Sequence, residues 1–381
     1  MHWAEDMSNK RLKITHVARF AYPHIGGVEA VIEQINKCLP DDKFEKEVYC
    51  CSNTEKSSVD EGVKHVRCKY LFDFAANSVS PEMFFRMMFL KTDILHLHMP
   101  VMQSVIIWAI LHLFGFPRYK KLTITYHSDV VGYDKYMKYF GGIYRYFLSK
   151  VDKIHVLSPD LIESSDLLRE FKDKCTVIPY GIELSKDNSN DDKVAEIKNK
   201  YAGKKILFSC GRLVKYKGFK YAIEAMKNID NAVYLLGGNG TLKEEFVNYI
   251  KENNLSEKVI LLGRVSDEDL DSYYKACDIY LFPSVMKSEA FGIVQLEAMC
   301  YGKPVINTYL GTGVNFVSLN NETGLTVEPC NSEQLSNAVK TLCDNDDLRN
   351  EYGNNAKNRV ETVFNLENLK KCYSDFFKDL L

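Results

Sequence analysis

At 381 residues the chain exceeds what one hydrophobic core supports, so two domains of roughly 150–200 residues are expected. A composition 46% hydrophobic and 26% charged excludes a disordered chain, and a formal net charge of −2 gives no global attraction to nucleic acid. The 11 cysteines are odd in number, none falls in a Cys-x-x-Cys pair, and Cys50 and Cys51 are adjacent, which points to reduced thiols in a cytoplasmic protein.

The first residues are polar and charged, so no secretory signal is expected there. "LKITHVARF" (Leu12 to Phe20) is a predicted buried strand, and the Gly26–Gly27 turn opens a helix carrying Val28, Val31, Ile32, Ile35 and Leu39 at helical spacing. Strands follow at "KEVYCC", "DILHLH", "KLTITYH", "VDKIHVLS" and "CTVIPY", mostly with helical patterns between them. "VIIWAILHLFGF" (Val105 to Phe116) is about half the ~20 residues a spanning helix needs, and a buried helix is expected. At "ELSKDNSNDDK" (Glu183 to Lys193) the apolar signal collapses into a linker. Beyond it come the strands "KKILFSC", "NAVYLLG", "KVILLG" and "DIYLFPS", with helices between them. This alternation predicts two doubly wound parallel sheets, residues 1–183 and 184–363, with ligands at the C-terminal ends of their strands.

"GRLVKYKGF" after the first strand of the second half sets Arg212 and Lys217 in a turn at a helix start, a seat for a diphosphate or else a solvated basic loop. The glycines of "LLGGNGTL" let backbone approach a ligand or only make a tight turn. No G-x-G-x-x-G follows either first strand, so the dinucleotide fingerprint is absent. "LLGRVSDEDL" places Arg264 and Val265 in a turn whose backbone could read a flat heterocycle. In "SEAFGIVQLEAM" (Ser288 to Met299), Glu289 sits on a loop, Gly292 starts a helix, and Glu297 lies more than one turn inside it. The first amides of that helix suit phosphate oxygens, and the two acids suit sugar and ribose hydroxyls. The bland alternative is a helix-capping Glu289 and a surface Glu297.

These motifs, in this order with "TGLTVEP" (Thr323 to Pro329), resemble the retaining glycosyltransferases of family 4, whose E-x7-E pattern matches Glu289 and Glu297. "YPHIGGVEAVI", "TYHSD" and "VFNLENLKKCYSDFFKDL" extend the resemblance over nearly the whole chain. It implies the GT-B fold, two Rossmann-like domains facing across a cleft, with residues 364–381 returning to the N-terminal domain. It also implies site roles: Arg212, Lys217 and the amides of Phe291, Gly292, Ile293 and Val294 on the donor diphosphate, and Glu297 on the ribose. Arg264 and Val265 would take the base, Glu289 the transferred sugar, His127 that sugar and the leaving oxygen, and Gly27 the phosphate and acceptor. "IPYGIE" departs from the pattern, with Tyr180 where the family often has Asn, and no role is assigned to it.

Positive charge from Arg212, Lys217 and a helix start would meet the charge on the leaving phosphate, so no metal is required. Asp267 and Asp269 in "SDEDLDS" look like a capped surface turn; His96 and His98 share one side of a strand but lack an evident third ligand. No carboxylate stands out as a nucleophile, which favours attack on the face from which the phosphate departs. "YDKYMKYFGGIYRYFLSK" (Tyr133 to Lys150) fits either core packing or a membrane interface with a lipid-linked saccharide acceptor, and "PRYKK" adds to the second reading. The expected protein is cytoplasmic, at the inner face of the membrane. "TYHSD" and "GTGVNFV" most resemble mannosyl- or rhamnosyltransferases of bacterial surface polysaccharide assembly, which makes GDP-mannose the first donor and a UDP-hexose the second. A nucleotide-sugar epimerase, a phosphorylase and a sugar-binding scaffold are the rivals.

Overall fold

The computed structural model describes residues 11–24, 26–74, 77–129, 134–184 and 187–380. The readings on the first ten residues, on Tyr133, and on Ser185 and Lys186 of the linker lie outside the described residues. The chain divides into two compact units, Met1–Tyr180 with Glu367–Leu381, and Gly181–Leu366. The sequence reading set the seams at 183/184 and 363/364. Ile182 moves them, because its N–H donates to Phe364 O at 2.7 Å and its carbonyl accepts from Leu366 N–H at 3.0 Å, tying both crossing segments together.

In the first unit the strands are β1 (Leu12–Val17), β2 (Phe44–Cys51), β3 (Ser58–Asp60), β4 (Val63–Cys68), β5 (Phe72–Phe74), β6 (Asn77–Val79), β7 (Ile94–Met99), β8 (Lys121–Tyr126), β9 (Lys153–Val156) and β10 (Cys175–Val177). Eight of them form one sheet in the order β10-β9-β8-β7-β1-β2-β4-β3, parallel except for β3 against β4, while β5 and β6 make a separate hairpin. Every residue of β7 is buried, as expected for a parallel strand covered on both faces. Its odd-numbered Leu95, Leu97 and Met99 join a core with Trp108, Leu122 and Ile124. Its even-numbered His96 and His98 take the other face, in register with His16 on β1 and with Thr123 and Thr125 on β8. The helix Leu366–Lys378 lies over that face, Phe377 meeting His96 edge-on and Tyr373 meeting His155.

Two expectations change here. The apolar run becomes the helix Met102–His112, buried through Val105, Trp108 and Leu111, but Leu113 and Phe114 beyond it are 76% and 73% exposed. The aromatic stretch, helix Asp134–Lys150, divides: Tyr144, Phe147 and Leu148 enter the core, whereas Tyr139 and Tyr146 remain exposed.

The second unit holds β11 (Lys205–Cys210), β12 (Ala232–Gly237), β13 (Val259–Gly263), β14 (Ile279–Phe282), β15 (Val305–Thr308) and β16 (Gly324–Val327), all parallel, in the order β13-β12-β11-β14-β15-β16. Part of the expected linker is helical, because the Asn190 side chain accepts from Asp192 and Lys193 N–H and caps Asp191–Lys200.

Candidate active site

Strand order reverses between β11 and β14 in the second sheet and between β1 and β7 in the first. Loops leaving the C-terminal ends of such neighbours diverge and open a crevice, the usual ligand position in open α/β sheets. Gly27 follows β1 in the first unit, and Arg212, Lys217 and Glu289 follow β11 and β14 in the second, whereas His127 follows β8 and Arg264 and Val265 follow β13.

In the second unit, β11 runs into the turn carrying Arg212 and Lys217, and β14 into the loop carrying Glu289. The Lys217 Nζ and Glu289 Oε2 are 2.5 Å apart, with only 14% and 12% of the two side chains exposed. Ser284 Oγ donates to the same carboxylate oxygen at 3.1 Å, and Thr312 Oγ1 donates to the Glu289 backbone carbonyl at 2.9 Å. The sequence reading gave Lys217 and Glu289 separate duties; the structure makes them one unit, with Ser284 and Thr312 as supports it missed. An ammonium has three N–H donors, so two stay available beyond Glu289. Arg212 is exposed, and its Nη2 donates to Tyr216 Oη at 3.2 Å. Of the two cations, Lys217 is the fixed one.

The Glu289 loop ends at buried Phe291 and at Gly292, whose φ of 76° lies in the left-handed region; a Cβ there would come within 2.8 Å of Phe282 and of the Gln295 amide. Gly292 leads into the helix Ile293–Cys300, which has no side-chain cap, so the amides of Ile293 and Val294 are those of an open helix start. Glu297 is not the surface acid of the bland reading. It is half-buried, and Tyr274 Oη donates to its Oε2 at 2.6 Å. Burial lifts its carboxyl above the ordinary value, Asp271 and Asp267 add to the rise, and the Tyr274 bond opposes it. It borders a cavity of about 450 Å³ shared with Asp271, Lys275 and Tyr301.

Arg264 is exposed and Val265 half-buried in the turn after β13. The neighbouring glycine cluster has a packing reason: Gly238 has a φ of 131°, and a Cβ on it would meet the Gly211 carbonyl. Ser266 Oγ accepts from Asp269 N–H at 3.1 Å, so this acidic run is a helix cap.

In the first unit, Gly27 is exposed and begins the helix Gly27–Cys38, with open space where a Cβ would stand. His127 follows β8, its N–H bound to Met99 O at 3.0 Å and its ring buried. It belongs to a layer the sequence reading did not see. His127 Nε2 is 3.0 Å from His98 Nδ1, and His98 Nε2 is 3.0 Å from His16 Nδ1. Beside this row, His96 contacts Thr123 and Thr125 at 2.7 and 2.8 Å, Thr125 contacts His155 Nδ1 at 2.9 Å, and His155 Nε2 contacts Ile178 O at 2.7 Å. Burial, first of all, pushes the rings of His16 and His127 down to about 3 and His155 to about 4, and holds His96 and His98 well below the ordinary value. All are neutral imidazoles at pH 7.

His16 supplies the third imidazole that the sequence reading did not find for His96 and His98; the ligand atoms lie within 4.8 Å of one another. Both ring nitrogens of His96 are engaged by Thr123 and Thr125, and both of His98 by His16 and His127, where a metal site would leave lone pairs converging.

The chain thus has two doubly wound parallel-sheet units, one of which presents a lysine–carboxylate pair beside an open helix start. The family profile "Glycosyl transferases group 1" matches residues 190–359 and "Glycosyltransferase Family 4" matches residues 25–186. The chain is 30% identical to the D-rhamnosyltransferase WbpZ of Pseudomonas aeruginosa, over 89% of this chain and 88% of that one. It is 29% identical to the O-antigen chain mannosyltransferase C of Escherichia coli, over 97% and 99%. Its fold matches Anabaena HepE, solved with UDP, at a TM-score of 0.76 and 15% identity, over 97% and 100% of the two chains. It matches the sucrose-phosphate synthase of Thermosynechococcus elongatus at 0.77 and 21%, over 97% and 99%. The protein belongs to the group 1/family 4 glycosyltransferases and has their GT-B fold.

Proposed function

We propose that this glycosyltransferase moves a hexose, mannose first, from a nucleoside diphosphate to a saccharide acceptor in cell-surface polysaccharide assembly, with retention of anomeric configuration. The observation that carries this reading is the Lys217–Glu289 pair at the β11/β14 crevice, beside the uncapped amides of Ile293 and Val294. Lys217, Arg212 and the segment Phe291 to Val294 hold the diphosphate and take up charge as it leaves, so the chemistry requires no metal. Glu289, pinned by Lys217 and Ser284, accepts from the sugar hydroxyls, Glu297 from the ribose diol, and backbone at Arg264 and Val265 reads the base. His127 addresses the transferred sugar, and Gly27 leaves room for phosphate and acceptor. Among the described residues the carboxylate placed beside the transferred sugar is Glu289, and Lys217 holds it by a salt bridge, so it does not serve as the nucleophile. Attack therefore comes from the face the phosphate leaves, and the departing oxygen takes the acceptor's proton.

The relatives named as mannosyl- and rhamnosyltransferases support a GDP-linked donor. A UDP-hexose is the second reading, favoured by the UDP held in the HepE structure. The acceptor is lipid-linked and met at the cytoplasmic face of a membrane, a reading supported by exposed Tyr139 and Tyr146, with the Lys150 ammonium 5.6 Å from the Tyr146 ring. Among the described residues no helix is long and apolar enough to cross a membrane. The test is Glu289→Ala, assayed with GDP-mannose and with UDP-hexoses: transfer is lost while nucleotide affinity stays within a few-fold. Undiminished turnover removes Glu289 from the site.

A further inference from the structure

The two imidazole rows differ in how their hydrogens are fixed. Ile178 O can only accept, so His155 carries its proton on Nε2 and offers a lone pair at Nδ1. Thr125 must then donate to His155 Nδ1 and accept from His96 Nε2–H, which leaves His96 Nδ1 to accept from Thr123. Every member of that row has one assignment, and it ends inside the protein.

The row His16–His98–His127 has no carbonyl anchor. A neutral His98 has one N–H and one lone pair, and both nitrogens are bonded, so the row must run in a single direction. In one direction His127 donates inward through Nε2–H and the last N–H falls on His16 Nε2. That atom is buried and has no hydrogen-bond partner among the described residues. In the other direction His16 Nδ1–H donates to His98 Nε2 and His98 Nδ1–H donates to His127 Nε2, which leaves only a lone pair on His16 Nε2. Orphaned buried N–H groups are rarer and costlier than orphaned acceptors, so the second direction wins.

We infer that His16 and His98 are a directional relay that holds His127 as the neutral Nδ1–H tautomer, a hydrogen-bond donor at the C-terminal end of the sheet. His127 Nδ1 has no hydrogen-bond partner among the described residues, and it is not among the buried orphaned atoms. The inference rests on the reading that His127 addresses the transferred sugar, and it adds what His127 offers there: a proton toward a sugar hydroxyl or phosphate oxygen rather than a lone pair. His98 and His16 are thus positioning residues, acting through His127 and touching no substrate themselves. An isolated imidazole would leave the choice of nitrogen open, and a wrong tautomer presents an acceptor where a donor is needed.

Imidazole 15N spectra of the histidine-labelled full-length protein test this directly, the His127 signals being identified by their loss in His127→Gln. The expected result is a protonated Nδ1 and an unprotonated Nε2 on His127, with His98→Phe reversing the pattern. In kinetics, His98→Phe lowers kcat about 100-fold with the donor KM nearly unchanged. His98→Gln, whose amide can accept from His16 and donate to His127, restores most of that loss. A protonated Nε2 on wild-type His127 overturns the relay, and so does equal kcat in the Phe and Gln variants, or one equivalent of zinc in the purified protein. Should His98→Phe not fold, the wild-type spectrum still decides. Full turnover in His127→Gln removes the catalytic reading of His127 alone, and the tautomer then stands or falls on the spectra.

Discussion

At the crevice of the second unit the candidate groups are charged: Lys217 meets Glu289, and Ser284 and Thr312 brace the same loop. At the crevice of the first unit they are neutral imidazoles gathered from four strands and sealed under the helix Leu366–Lys378. All 9 histidines of the chain lie between His2 and His155, and none in the second unit. The proposed role of the second place would account for its charge, since a diphosphate needs fixed positive potential near water, whereas a sheet buried on both faces tolerates polar groups only when they are uncharged and hydrogen-bonded.

The largest effect separating the two is expected from Lys217→Ala. It strips the cation from the diphosphate seat and leaves Glu289 half-buried without its partner, and kcat/KM should fall roughly 1000-fold. Steady-state kinetics check this; a loss under tenfold would mean that the pair is structural only.

Acid should strike the first unit. The His16, His127 and His155 rings have folded values near 3 to 4 against an ordinary 6.5. Below pH 6.5 the unfolded chain therefore binds protons that the folded chain refuses, and stability falls as pH drops from 6.5 toward about 4. Each imidazole contributes about 1.4 kcal/mol per pH unit within that window. Trp108 is buried in this unit and residues 181–366 contain no tryptophan, so Trp108 fluorescence follows the first unit. An unfolding midpoint that stays flat from pH 6.5 to 5 would contradict the neutral layer.

A smaller change is expected at the acid inside the helix Ile293–Cys300. Tyr274→Phe removes the hydroxyl bonded to Glu297, and nucleotide affinity should fall by about 1 kcal/mol, roughly fivefold. Calorimetric titration measures it, and a loss as large as that of Lys217→Ala would promote Tyr274 to a direct ligand. The smallest effect belongs to Asp267→Asn in the capped surface helix, where stability should change by less than about 0.5 kcal/mol and turnover should not change.

Much of the second crevice was legible in the sequence because its parts are local. Lys217 is named by a turn, Gly292 by a helix start, and Glu289 and Glu297 by their spacing along one loop and helix. What stayed hidden was their pairing, since Lys217 and Glu289 meet only when β11 and β14 become neighbours. Tyr274 was hidden for a like reason, its helix packing beside that of Glu297. The imidazole layer was harder still. "LHLHMP" showed two histidines on one side of a strand, but nothing local announces that His16 pairs in register with His96, or that Thr125 sits opposite His155. The glycines of "LLGGNGTL" carried an ambiguous signal, and contact with the Gly211 carbonyl rather than with a ligand accounts for Gly238.

The central claim is that the β11/β14 crevice holds the diphosphate of a sugar nucleotide through Lys217. Isothermal titration of GDP and UDP into the wild-type chain and into Lys217→Ala tests it most directly. One of the two nucleotides should bind the wild type and lose at least tenfold in affinity in the variant. Equal affinity in both proteins, or no binding of either nucleotide to the wild type, would contradict it.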